Sequence, residues 1–380
     1  MKNFCLWAKL LTLIVIAFAF NGLVFADVQI SGDALVRTRL QLNNDKSEVE
    51  KTKDGKPTGE FEKKDESQIN SYNIYRFGVD VKASVSDNAT LGCRLASESP
   101  TNFIDMGKGT KNLPEVTFQY AYLQWKIKNK VTFTGGRFPY SGGFLADLHF
   151  NPNLAAGLGA VDDYFLVFHA NALEGFMCST PLVKGNTGVD IEIAASPDTE
   201  RFGSKEVKGE TIAEHDSYDV ILAVPITALA GKLKLRPAAA VRTTADDKAL
   251  DSIGNIRITG GASGSFAVHQ KVSVGFGAGY SMISTDNLDN NTIGFSAGPS
   301  IKGLGPGTLD LRFDMFIFSK TDKLPKAVKL TNPYAKVNYF IPLKDKVVLD
   351  FLYRMYMRTT DDEKVDWMRN QFDVTLKAKF

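Results

Sequence analysis

Residues 369–380 alternate without a break. Phe372, Val374, Leu376, Ala378 and Phe380 fall on one side, and Arg369, Gln371, Asp373, Thr375, Lys377 and Lys379 on the other. Successive side chains of a strand point to opposite faces, so this run is a strand with one oily and one charged face. A soluble sheet can carry that pattern, and so can a barrel in lipid. What separates them is how often the chain repeats it, and whether the chain is exported.

Residues 1–26 read as a secretory signal peptide. Lys2 and Lys9 give a positive start, residues 10–20 are apolar except for Thr12, and Val24 and Ala26 place small residues before a cut at Asp27. The apolar run is too short for a spanning helix. Residues 27–380 are then the mature domain. Its charge is close to neutral, because the formal +2 of the whole chain includes Lys2 and Lys9, and this argues against a nucleic-acid partner. Only Cys93 and Cys178 follow the signal, with no paired spacing, so neither a disulfide framework nor a zinc site is indicated. They read as two isolated apolar cysteines.

The mature chain repeats the terminal pattern. Val36, Thr38, Leu40 and Leu42 alternate with Arg37, Arg39 and Gln41; Tyr75, Phe77, Val79 and Val81 alternate with Arg76, Gly78, Asp80 and Lys82. Leu91, Cys93 and Leu95 oppose Arg94, and Ala121, Leu123, Trp125 and Ile127 oppose Tyr120 and Tyr122. A fifth strand runs over 131–137 and a sixth lies somewhere in 173–183. Further hairpins follow to the C-terminus, including 232–243, where Pro237 suggests a bulge because it removes a ladder donor. Short turns follow even strands and longer polar connections follow odd ones. Residues 43–70, rich in Lys, Glu and Asp, read as a long solvated loop. Residues 138–172 break the alternation and read as the long third loop. No stretch of the mature chain holds a helical period.

The count is about sixteen strands, or about eighteen if 164–169 belongs to an added hairpin. Soluble closed barrels commonly stop near eight strands, since side chains must fill them. A wider barrel leaves a lumen, which the charged face lines while the oily face meets lipid. In lipid every backbone donor needs a partner, so the sheet must close. The expected fold is therefore all-β: a transmembrane antiparallel up-and-down barrel.

On these features the chain resembles a Gram-negative outer-membrane porin. The signal peptide, the alternation of short and long connections and the terminal Phe380 all match. The segment 131–140 (VTFTGGRFPY), followed by 145–161, is similar to the porin passage in which a glycine-arginine step precedes a third loop folded into the pore. The resemblance implies a bacterial outer-membrane location and a water-filled channel for passive diffusion of ions and small hydrophilic solutes. It implies no enzyme activity, no cofactor and no metal. Partners would be the outer-membrane lipid, the outer-membrane assembly machinery with Phe380 as its signal, and two further copies in a homotrimer.

Pore selectivity comes from width and wall charge at the narrowest level. The candidate constriction sets Asp147, Asp162 and Asp163 on the third loop against Arg37, Arg39, Arg76, Arg94 and Arg137 on the wall. The plainer alternative is that these arginines pair with acids across adjacent strands. Tyr120 and Tyr122 face the lumen in this phasing. Gly275, Gly277 and Gly279 sit on one strand face, where close packing explains them better than phosphate binding. Two rival functions remain open. One is a barrel hydrolase or protease built from Glu214, His215 and Asp216 with Asp246 and Asp247, or with Asp361 and Asp362. The other is a structural or adhesive barrel with an occluded lumen.

Overall fold

The alternation becomes a closed antiparallel wall. The computed structural model describes residues 27–53, 56–97, 104–105, 117–128, 130–140, 172–197, 206–207, 210–211, 217–244, 256–284, 288–322, 328–344, 346–360 and 365–380. Sixteen strands form the barrel. They are β1 (Val28–Lys53), β2 (Lys56–Ser86), β3 (Ala89–Ala96), β4 (Thr117–Ile127), β5 (Val131–Pro139), β6 (Ala172–Val183), β7 (Gly188–Pro197) and β8 (Ser217–Ala223, continued by Ile226–Ala228). They continue as β9 (Leu233–Thr244), β10 (Ile256–His269), β11 (Val272–Ser284), β12 (Leu288–Leu304), β13 (Gly307–Asp322), β14 (Val328–Pro342), β15 (Val347–Thr360) and β16 (Val365–Lys379). Each pairs with the next, and β1 also pairs with β16, so the sheet has no free edge. Two small additions lie outside this ring: Ile104–Asp105 pairs with β2, and Glu206–Val207 pairs with Glu210–Thr211.

The direct pairing of β5 with β6, down to Pro139 opposite Ala172, leaves no gap in the wall for an added hairpin. Sixteen is therefore the strand number. Residues 164–169, and the rest of the third connection from 141 to 171, lie outside the described residues.

Two local expectations are corrected. Residues 43–70 are not simply a loop: β1 and β2, 26 and 31 residues long, extend into them as a pair, as far as Lys53 and from Lys56. The backbone register sets Lys46 opposite Asp65 and Glu48 opposite Lys63. Pro237 makes no bulge either, since the β9–β10 register runs through it from Arg236–Ser263 to Ala238–Gly261. The interruption falls on the neighbour instead. Around Pro225, β8 is broken between Ala223 and Ile226, yet both pieces keep one register against β9. Two prolines that lack donors meet here, and the Val224 amide donates to the Pro237 carbonyl at 2.9 Å.

Side chains confirm which face is which. On β16, Phe372 and Leu376 are exposed, whereas Arg369, Gln371, Asp373 and Thr375 are buried. On β1, Val36, Leu40 and Leu42 are exposed while Arg37, Arg39 and Gln41 are buried. The oily face points outward and the polar face inward, the inverse of a soluble barrel. Both cysteines are unbridged, and each lies on the outward face of its strand.

The wall is uneven in height. Strands β3 to β7 have 8, 11, 9, 12 and 10 residues, whereas β10 to β16 have 13 to 17. About 9–11 tilted residues suffice to cross a hydrocarbon layer, so β3 to β7 have little to spare.

The barrel closes on an aromatic clasp. Gly32 and Phe380 exchange two backbone hydrogen bonds, at 3.0 and 3.1 Å. The Phe380 ring lies over Gly32 and stacks on Phe77, with centroids 5.9 Å apart and planes 21° from parallel. A Cβ at position 32 would sit 2.3 Å from that ring, so only glycine leaves room for it.

Candidate channel lining

The seam between the first and last strands carries the densest charge. Arg39 and Asp373 are direct partners in the β1–β16 register. Arg39 grips the carboxylate with both ends of its fork, Nε to Oδ1 at 2.7 Å and Nη2 to Oδ2 at 2.9 Å. Arg37 Nη1 lies 3.6 Å from the same carboxylate and Arg354 Nη1, from β15, 3.8 Å. Arg37 Nε also donates to the Thr375 hydroxyl at 3.0 Å. One level higher, Arg369 Nε donates to Asn43 Oδ1 at 2.9 Å. Asp373 is 0% exposed, and a carboxylate that shielded is held in place only by such donors. Lys377 and Asp350 pair lower on the same seam. The seam thus sets Arg37, Arg39, Arg354, Arg369 and Lys377 against Asp350 and Asp373, a surplus of positive charge among the described residues.

The adjoining wall is balanced. Arg94 on β3 donates to Asp33, Asp80 and, through Nε at 2.8 Å, Gln119. Arg76 Nη2 approaches Asp33 Oδ2 at 3.4 Å. Two arginines thus face two carboxylates, which is the cross-strand pairing named above as the plainer alternative. A third group lies on β13, where Arg312 Nε donates to both oxygens of Asp314 at 2.8 and 2.7 Å.

The remaining inward face differs in character. Phe138, Leu173, Ala194, Ile221, Ala223, Ala238 and Ala240 make an apolar sector over β5 to β9. Tyr140 sits at its margin; Arg236 donates to its hydroxyl at 2.7 Å and to Glu192 at 2.8 Å. Over β10 to β12 the inward residues are small: Thr259, Ser263, Gly277, Gly279, Ser281, Thr292 and Ser296. Gly277 faces Ser296 across the strand pair, and a Cβ there would meet the serine hydroxyl at 3.3 Å, so this one of the three glycines is closely packed.

Of the expected constriction residues, Arg37, Arg39, Arg76 and Arg94 come together on the inward wall between β16 and β3. Arg137 does not join them. It shares a face with exposed Phe133, opposes Ala121 and pairs directly with Glu174, all on the outward side. Thr134 and Phe138, on the other face of β5, are the buried ones. Gly136, with φ +104°, sits opposite Gly175, with φ +132°, and the ladder still runs through both without a shift. Arg137 is thus corrected from inner lining to outer surface. Asp147, Asp162 and Asp163 lie outside the described residues, as do His215 and the acids of the hydrolase alternative. Tyr122 faces inward as expected, its ring covering Gly92. Asp33, Gln119 and Glu192 were not singled out from sequence; Asp33 shares its face with Arg37 by simple parity, while Gln119 follows an irregularity in the β3–β4 register. No group of three or more His, Cys, Asp or Glu arranged to hold a metal occurs among the described residues.

No protein-family model and no curated protein matches the chain. Solved structures do match. The anion-selective porin of Comamonas acidovorans superposes with a TM-score of 0.56 at 14% identity, over 93% of this chain and 99% of that one. The outer-membrane channel DcaP of Acinetobacter baumannii gives 0.53 at 12% identity, over 93% and 97%. OprB of Pseudomonas putida gives 0.54 at 10% identity, over 95% and 96%. At such identities the likeness is one of architecture, and that architecture is the one expected from the alternating strands: the chain has the fold of the outer-membrane porins.

Proposed function

We propose that this protein is a passive channel of the bacterial outer membrane that admits ions and small hydrophilic solutes and favours anions. One observation carries the proposal. A closed sixteen-stranded wall is oily outside and ionic inside, and its inward seam holds more cations than carboxylates. Such a wall suits water in the lumen and hydrocarbon around it. Selectivity then follows from the sign of charge at the lining, and the arginine seam concentrates small anions near the wall. The fold is shared with a protein described as an anion-selective porin and another described as a channel, which supports the same reading.

Several parts rest on this proposal. Residues 1–26 direct export and are removed. Phe138 and Tyr140 turn inward where the chain leaves β5, which supports a narrowing of the lumen by the following segment with Asp147, Asp162 and Asp163. Phe380 is both clasp and recognition signal for the assembly machinery. The chain works by diffusion and not as an enzyme.

Purified protein in a planar bilayer should give discrete conductance steps. In a salt gradient the reversal potential should have the sign of anion preference. Absence of conductance would leave the occluded barrel, and cation preference would remove the role given to the seam.

A further inference from the structure

At the turn end of the barrel, opposite charges share one face of β4 to β7 without meeting. Lys126, Thr132, Ser179 and Glu192 are successive cross-strand partners, so they form one row over four strands. The row faces inward: Thr134 and Ala194, two positions along from Thr132 and Glu192, are buried, while Trp125, Phe133 and Ile193 on the alternate face are exposed. Nearer the turns, Lys130 leads into β5 and Asp190 stands opposite Pro181. Both lysines are thus on one side and both carboxylates on the other, with two hydroxyls and a proline between. Together they line a cavity of about 370 Å³. Opposite charges on adjacent strands ordinarily pair, as Arg39–Asp373 and Arg94–Asp80 do elsewhere on the inner wall. Here the uncharged middle keeps them apart. Glu192 is taken by Arg236 at 2.8 Å. Lys126, Lys130 and Asp190 are exposed, and among the described residues no side chain pairs with any of them.

We propose that this trough binds a short zwitterionic peptide, its carboxylate on Lys126 and Lys130 and its ammonium on Asp190. Length decides the class. Three strand spacings, ~14 Å, separate the backbones of Lys126 and Glu192. A free amino acid carries both charges on one carbon and cannot reach both sides. A tripeptide, at about 3.5 Å per extended residue, spans ~10 Å, and the lysine stems close the remainder. The Thr132 and Ser179 hydroxyls lie between, where each can donate to or accept from a peptide group. Such a solute has no net charge, so the arginine seam neither attracts nor repels it. The inference names a solute class for the channel proposed above, and rests on that reading for how the solute arrives.

The test titrates purified full-length protein in detergent with triglycine, glycine, N-acetyltriglycine and triglycinamide, followed by ligand-observed NMR. Triglycine should saturate, and the other three should bind about fivefold more weakly or worse, the upper range for losing one exposed ion pair. Asp190→Asn should weaken triglycine about fivefold and leave N-acetyltriglycine, which has no ammonium, unchanged. Lys126→Gln with Lys130→Gln should weaken triglycine by as much and leave triglycinamide, which has no carboxylate, unchanged. Each variant must keep the folded band on a gel. Equal binding of triglycine and its capped forms overturns the proposal, as does triglycine that never saturates. Tighter binding of N-acetyltriglycine than of triglycine makes the trough an anion site and overturns it too, and so does a variant that weakens all the ligands alike. Conductance of the same preparation separates the two readings. A conducting channel without triglycine binding overturns this proposal alone, and triglycine binding that follows the charge pattern without conductance upholds it while overturning the channel.

Discussion

Arg39–Asp373 and Arg137–Glu174 are the same chemistry on opposite sides of one sheet. Each joins residues directly opposite in an antiparallel register. The first points inward, where Asp373 is fully covered and shared by three guanidinium groups. The second points outward, with a longer contact and a half-exposed carboxylate. A residue type therefore says little until its face is known. In the seam, ion pairs fix a wall and leave a charge surplus facing the lumen; on the outer face, an ion pair stands at a cost among apolar neighbours.

The largest expected effect lies at the seam. Asp373→Ala leaves Arg37, Arg39 and Arg354 without their shared carboxylate. Breaking a buried pair from one side costs about 3–5 kcal/mol. The folded, heat-modifiable band on a gel should disappear at a markedly lower temperature. If the variant is as heat-stable as the unaltered protein, the seam is not structural.

Gly32→Val comes next. It forces the Phe380 ring off its seat while keeping the terminal aromatic, so the barrel should unfold at lower urea by about 1–3 kcal/mol. Deleting Phe380 should do this and also reduce insertion into the outer membrane. Equal insertion defects in the two variants would merge the two roles assigned to Phe380.

A smaller effect is expected on selectivity. Arg354→Gln with Arg369→Gln should reduce the anion preference of the reversal potential by more than Arg76→Gln with Arg94→Gln. The first pair belongs to the seam that carries the surplus of positive charge, whereas the second belongs to a wall that already holds two carboxylates. The reverse ranking would shift the selectivity region to β2 and β3. The smallest effect belongs to the outer pair: Arg137→Gln with Glu174→Gln should leave single-channel conductance and reversal potential unchanged. A change in either would return Arg137 to the lumen.

Much of this was legible in the sequence, for a physical reason. A half-buried strand must alternate, and a membrane barrel needs every strand to do so, which made the sixteen strands and their faces readable from residues such as Phe372 to Phe380. The β1–β2 ribbon beyond Asn43 was not readable in the same way. Its sequence has no alternating apolar residues to advertise a strand, and the pairing is visible only in the backbone register. The phase of Arg137 was available by counting in twos from Phe133, but the two glycines at 135 and 136 hide the alternation there. The grouping of Arg37, Arg39 and Arg354 on one aspartate was beyond local pattern, because Arg39 and Asp373 are separated by 334 positions and meet only when the ring closes.

That closure also sets a timetable. β1 is made first among the strands, yet one of its edges finds no partner until β16 is complete and Phe380 can seat on Gly32. Until then the chain carries an open edge able to pair with any other strand. A carrier that shields β1 from its emergence to the arrival of β16 would be needed only for that interval, and a tag fused after Phe380 would prolong it. Tags for purification are better placed in the β1–β2 ribbon beyond Ser47, where β1 pairs with β2 and no longer with β16.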